Sequence, residues 1–182
     1  MIPDASEPVI SRPPGRVDRI GVPATLLDTT IAGLSLGRDC EMLCYWIGAA
    51  LPPDAQGRTR AHVISVAFPR IISGYDYFRV ADGQVAQITE RCARSSLWVI
   101  AQVHTHPTDE PHSEADECGP VSHRAGFVSV VLPFFAQFST VRDPHWRTHV
   151  LGQHGAWSEV DPDSCLEVIA DVWLPESPED RA

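Results

Sequence analysis

The chain has 182 residues, 43% of them apolar or aromatic and 21% charged, enough for one domain with a real core and too few for two comfortable ones. Asp and Glu outnumber Lys and Arg by 24 to 14, a formal net charge of −10, which argues against a nucleic-acid face and against docking on an anionic membrane. The five cysteines (Cys40, Cys44, Cys92, Cys118, Cys165) form no Cys-x-x-Cys pair, and an odd number of them fits reduced thiols better than a disulfide framework.

In chain order, residues 1–16 carry Pro3, Pro8, Pro13 and Pro14 and read as a flexible arm. Met1 to Ala5 has neither the basic nor the apolar character of a targeting segment. Leu27, Ile31 and Leu34 fall at helical spacing, which predicts a helix over 23–36. Strands are expected at 41–50 and 60–68. In the second, Val63, Ile64, Val66 and Phe68 are interleaved with Ser65 and Ala67. Val85, Ile88 and Cys92 mark another helix over 82–95, where Glu90 and Arg94 are spaced to pair. The β-branched and aromatic run from Leu97 to Val103 predicts a buried strand over 97–104.

A short helix is expected from Ser113, then strands near 127–132, 147–152 and 156–160. Asp161-Pro162-Asp163 is placed to open a last short helix. The longest mostly apolar stretch, Phe127 to Phe138, is broken by Pro133 and is too short to span a bilayer, so a cytoplasmic location is expected. Residues 174–182 read as an acidic tail, leaving 17–173 as the domain. This order predicts an α/β (α+β) fold, a mixed sheet with helices on its faces. Periodicity does not fix the strand order, and no exposed apolar helix marks an oligomeric state.

The chemistry concentrates in residues 104–116, His104-Thr105-His106-Pro107 and then Ser113-Glu114-Ala115-Asp116. Residues i and i+2 of a strand share a face, so His104 and His106 can turn both imidazoles to one ion. Pro107 ends the strand and leaves His106 at its tip. Ser113 and Asp116 are three apart, on one side of a first helical turn, and such a pair also suits a helix cap that aims the acid back. Zinc accepts imidazole nitrogen and carboxylate oxygen, and a catalytic zinc keeps a fourth position open. His104, His106 and Asp116 supply three ligands. His112 reads as a loop residue in water rather than a fourth ligand, and Cys118 as a small core residue.

His104, His106, Pro107, Ser113 and Asp116 resemble the JAMM motif of the MPN+ (JAB) metalloproteases of bacterial type. The loop between His106 and Ser113 is one residue shorter than the commoner spacing of the eukaryotic members. The resemblance implies an upstream glutamate, and Glu41 stands before an apolar run ending in Trp46-Ile47-Gly48. Asp39 is the rival, being of the same strand parity. Gly126 to Pro133 is similar to the strand that follows the motif in this family. The resemblance covers roughly residues 20–160.

It implies a curved, mostly antiparallel mixed sheet flanked by helices, related to the cytidine deaminase architecture. Deaminase function itself is disfavoured, since His-x-Glu and Pro-Cys-x-x-Cys are missing. It also implies zinc, Glu41 as general base, Ser113 as oxyanion donor, and cleavage after the C-terminal glycine of a ubiquitin-like protein. Gly74 to Arg79 and Phe134-Phe135 are candidate docking stretches for that partner, or core aromatics. The competing expectations are a hydrolase of other peptides or small molecules and a non-catalytic scaffold.

Overall fold

The computed structural model describes residues 16–113, 116 and 121–171. Almost all of the expected arm, most of the helix expected from Ser113, Cys118 and the expected acidic tail lie outside the described residues. The chain runs β1 (Arg19–Pro23), α1 (Ala24–Ser35), β2 (Leu43–Ala50), β3 (Arg60–Ala67), β4 (Ile71–Ser73), β5 (Phe78–Val80), α2 (Gln84–Arg94) and β6 (Trp98–Thr105). Then come β7 (Val128–Leu132), β8 (Arg147–Leu151), β9 (Trp157–Val160), α3 (Pro162–Cys165) and β10 (Leu166–Ile169).

Eight of these strands form one curved mixed sheet in the order β10-β1-β3-β2-β6-β7-β8-β9, while β4 and β5 make a separate hairpin. The β10–β1, β1–β3 and β6–β7 ladders are parallel and the other four in the large sheet are antiparallel. With few helices on its faces, this is the α+β architecture expected. No described helix is long and apolar enough to cross a membrane.

Helix α1 buries Leu27, Thr30, Ile31 and Leu34, the i, i+3, i+4, i+7 stripe that a helix needs to cover a sheet. It packs over the face that carries Trp46, whose indole Nε1 donates to Thr30 Oγ1 at 2.9 Å. Beneath it Ile20, Val22, Val103, Val130 and Leu132 are fully buried. Each such side chain contributes about 1.5–3 kcal/mol by leaving water. The opposite face is set by register. Tyr45 pairs with Gln102, Gln102 with Ser129, and Ser129 with His149, so these four side chains form one row across β2, β6, β7 and β8.

Three features depart from the expectations. Strands β1 and β10 were not expected, since each is short and their pairing joins Ile20 to Leu166 across the length of the chain. The hairpin of β4 and β5, three residues each, is likewise too brief for a period-2 pattern. The strand expected from 41 begins at Leu43, so Glu41 precedes it rather than opening it. After β7 the backbone makes a left-handed turn, with φ of 54°, 53° and 59° at Phe134, Phe135 and Ala136.

Candidate metal centre

Strand β6 lies between β2 and β7, with His104 opposite Leu43 on one side and Val131 on the other. Its end is pinned from both neighbours. Thr105 N–H donates to Met42 O, His106 N–H to Leu132 O, and Phe135 N–H to His106 O, at 3.0, 3.1 and 2.9 Å. His106 therefore keeps a strand-like position beyond the ladder. Its ring Nδ1 lies 3.2 Å from Glu110 O. A carbonyl can only accept, so Nδ1 carries a proton, and Nε2 is the nitrogen that faces an ion once the ring is neutral.

The loop returns at Ser113, where the expected cap is made. Asp116 N–H donates to Ser113 Oγ at 3.3 Å, while Ser113 N–H and Oγ–H donate to Asp116 Oδ2 at 2.8 and 2.7 Å. This reciprocal bonding turns the Asp116 carboxylate toward the strand tip. His106 Nε2 is 3.2 Å from Asp116 Oδ2, His104 Nε2 is 3.4 Å from Asp116 Oδ1, and the two Nε2 atoms are 3.2 Å apart. Tetrahedral ligands at zinc-like bond lengths sit about 3.4 Å from one another, so the spacing fits one ion bound by all three. These are the residues that gather metal-ligating atoms within 4.8 Å among the described residues, and all three are buried.

Electrostatics favour the binding form of two ligands. Burial pushes the His104 imidazole below its usual value and keeps it neutral. Burial raises Asp116, yet hydrogen bonds from His104 and His106 hold its carboxyl well below the carboxylate range. His106 is the exception. Burial pulls its imidazole down, but the Asp116 hydrogen bond and the charges of Asp116 and Glu41 outweigh it and leave it above 6.5. A ligand imidazole must be neutral, so metal uptake displaces a proton from His106. Affinity for zinc or cobalt is therefore expected to fall steeply from about pH 8 to about pH 6, as measured by competition titration; a flat profile would contradict this electrostatic picture.

Glu41 is 5% exposed, and its N–H donates to Gly74 O of the hairpin turn at 2.8 Å. Burial pushes its carboxyl up to about 7, with His106 pulling it down and Asp116 and Asp76 adding to the rise. Asp39, the rival, is exposed in the turn before it. A cavity of about 310 Å³ is lined by Glu41, Asp76, Phe78, Gln102, Ser113 and Asp116. His104, in contact with Asp116, has its ring 5.4 Å from that of Phe78.

The structure thus brings Glu41, His104, His106, Ser113 and Asp116 to one place. It corrects the placement of His112 in water, since its half-buried ring stacks on His149; His112 stands outside the clustered ligands. The docking stretches divide: Tyr75, Tyr77 and Phe134 are exposed, while Phe135 is buried. Cys40, Cys44, Cys92 and Cys165 are free thiols.

No family model matches the chain. A probable metalloprotease, y4jG of Sinorhizobium fredii (strain NBRC 101917 / NGR234), is 29% identical over 102 residues, covering 50% of this chain and 60% of that protein. The match spans less than two thirds of that relative's length. Among solved structures, the solution structure of protein DSY2949 from Desulfitobacterium hafniense superposes with a TM-score of 0.58 at 11% identity, over 84% of this chain and 94% of that one. AF2198, a JAB1/MPN domain protein from Archaeoglobus fulgidus, gives a TM-score of 0.48 at 15% identity, over 83% and 98%. The chain's resemblance to bacterial JAB-type MPN+ proteins is thus joined by likeness to a probable metalloprotease. The first superposition shows a shared fold.

Proposed function

We propose that the chain is a cytoplasmic, zinc-dependent peptidase of JAB type that cleaves after the C-terminal glycine of a ubiquitin-like protein, as a deconjugating or maturing enzyme. The observation that carries the reading is the convergence of two imidazole nitrogens and a carboxylate within 4.8 Å, beside a buried glutamate in the wall of a cavity. His104, His106 and Asp116 would hold the ion. An ion so held supplies Lewis acidity, polarising the scissile carbonyl and acidifying water toward a pKa of ~7.

The remaining work falls to side chains. Glu41 takes a proton from the attacking water and passes it to the leaving amine, a task suited to a carboxyl whose affinity for protons lies near neutrality. Ser113 donates to the oxyanion as the carbonyl carbon becomes tetrahedral, after its hydroxyl turns away from Asp116 Oδ2. The exposed Tyr77 at the cavity and the exposed Tyr75 two residues before it offer apolar contact to a folded partner. The chain's net charge of −10 favours a partner with a basic face.

The test compares a folded ubiquitin-like domain extended past its last glycine with the isolated tail peptide. A higher kcat/KM for the folded substrate is expected. Equal rates on both would instead favour a general peptidase on the same centre.

A further inference from the structure

His112 immediately precedes Ser113, and its surroundings are not those of a loop side chain in water. Its ring stacks on His149 of β8 with centroids 3.9 Å apart and planes 11° from parallel. The edge of Trp157 of β9 meets it at 4.9 Å, and His104 of β6 lies 5.7 Å away. Its Nε2 is 2.8 Å from Ser129 Oγ of β7. Four neighbouring strands thus contribute to the seat of one imidazole.

The seat is the polar row set by register. Gln102, Ser129 and His149 are 4%, 0% and 4% exposed, and buried polar groups are costly unless they bond one another. Gln102 Nε2 donates to Ser129 Oγ at 3.1 Å. The Ser129 hydroxyl, with one donor and two lone pairs, also bonds His112 Nε2, the donor being set by the tautomer of the His112 ring. His104, His112 and His149 each leave Nδ1 without a partner among the described residues. They do not form a second metal site, since their ligand atoms do not gather as those of His104, His106 and Asp116 do.

What the seat secures is the return of the loop. Between Pro107 and Ser113 the loop is also held at Glu110, whose carbonyl accepts from His106 Nδ1, and by the exposed pair of Asp109 with Arg147, which solvent screens. The Ser113–Asp116 cap fixes those two residues to each other, and Asp116 reaches His104 and His106 only through the nitrogens that an ion would take over. We infer that His112 is a positioning residue: docked on Ser129 and His149, it holds Ser113 and Asp116 against His104 and His106. Its consequence for metal binding rests on the proposed function, whereas the ordering of the loop does not.

The test uses the full chain with three variants. H112F keeps a stacking ring and removes the nitrogen that bonds Ser129. S129A removes the partner of His112 and Gln102's acceptor, and H112Q restores a polar partner on a side-chain amide, which can accept or donate. Hydrogen exchange of the metal-free protein is the first readout. The Ser113 and Asp116 amides are expected to exchange faster in H112F and S129A, with β6 and β7 amides unchanged as the control for folding. Cobalt titration is the second. Affinity is expected to fall about 10- to 100-fold in both variants, to recover in H112Q, and to fall no further in the H112F/S129A double variant.

Unchanged exchange at Ser113 and Asp116 in both single variants overturns the inference, whatever the metal does. Independent, additive losses in the double variant also overturn it, because they deny the shared bond. If the wild type takes no cobalt, the metalloprotease reading falls and the exchange experiment still decides the role of His112.

Discussion

Glu41→Gln is expected to lower kcat by about 10²- to 10⁴-fold, the contribution of a general acid–base group, while the chain still takes up metal. The amide preserves the size of the side chain and its tether, since Gly74 O accepts from the backbone N–H. What disappears is the ability to accept a proton. The loss is separable from misfolding by its sign. In the folded, metal-free chain the carboxyl is raised from 4.5 to about 7, burial being the main cause. Its charged form is therefore disfavoured by folding. The neutral carboxyl contributes stability below 4.5, and that contribution is lost as pH rises to about 7. Thermal unfolding of metal-free protein at about pH 8 should then place Glu41→Gln at or above wild type. Steady-state rates beside metal content and unfolding curves decide the matter. Wild-type cleavage by Glu41→Gln would remove Glu41 from the mechanism.

His106→Ala is expected to lose both metal and turnover, with elemental analysis falling from about one zinc per chain to near none. His106 contributes one of three clustered ligand atoms, so the variant leaves one nitrogen and one carboxylate. It also strips Asp116 of a hydrogen bond at 3.2 Å in a buried setting, where an acid with fewer partners is costly. A loss of about 1–3 kcal/mol in stability should accompany the loss of metal. The two variants therefore split the site by function, one disabling chemistry at a filled centre and the other emptying it. Equal metal in His106→Ala and wild type, or none in either after zinc supplementation, would withdraw the metalloprotease reading and favour a scaffold.

Much of this site was legible because its parts lie close in sequence and obey local rules. The His104/His106 spacing reflects strand alternation, and the Ser113/Asp116 spacing reflects a helix cap. Both are found in the structure. Helices α1 and α2 were legible for the same reason, through stripes at 3.6-residue period. The elements that escaped notice depend on distant partners. Four residues, Leu166 to Ile169, carry little pattern of their own and become β10 by pairing with β1. Glu41 needed a family likeness to single it out, because the charges that act on it, His106, Asp116 and Asp76, lie far along the chain. His112 was misread for a related reason. Nothing within its own loop announces that Ser129, His149 and Trp157 gather on one sheet face to receive it.

The left-handed turn after β7 changes how mutation acts on this molecule. Each L-residue in that conformation costs about 1–2 kcal/mol, and Phe134, Phe135 and Ala136 adopt it in succession. Such a stretch persists only where its surroundings over-determine it, here through the bond from Phe135 N–H to His106 O and the burial of Phe135 and Ala136. Backbone tolerance therefore runs backwards along these three positions. Glycine and asparagine, poorly suited to the strands on either side, relieve the backbone there. Valine, isoleucine and threonine, favoured in the strands, burden it most. The stretch beside a candidate ligand is thus one where general rules of substitution would mislead.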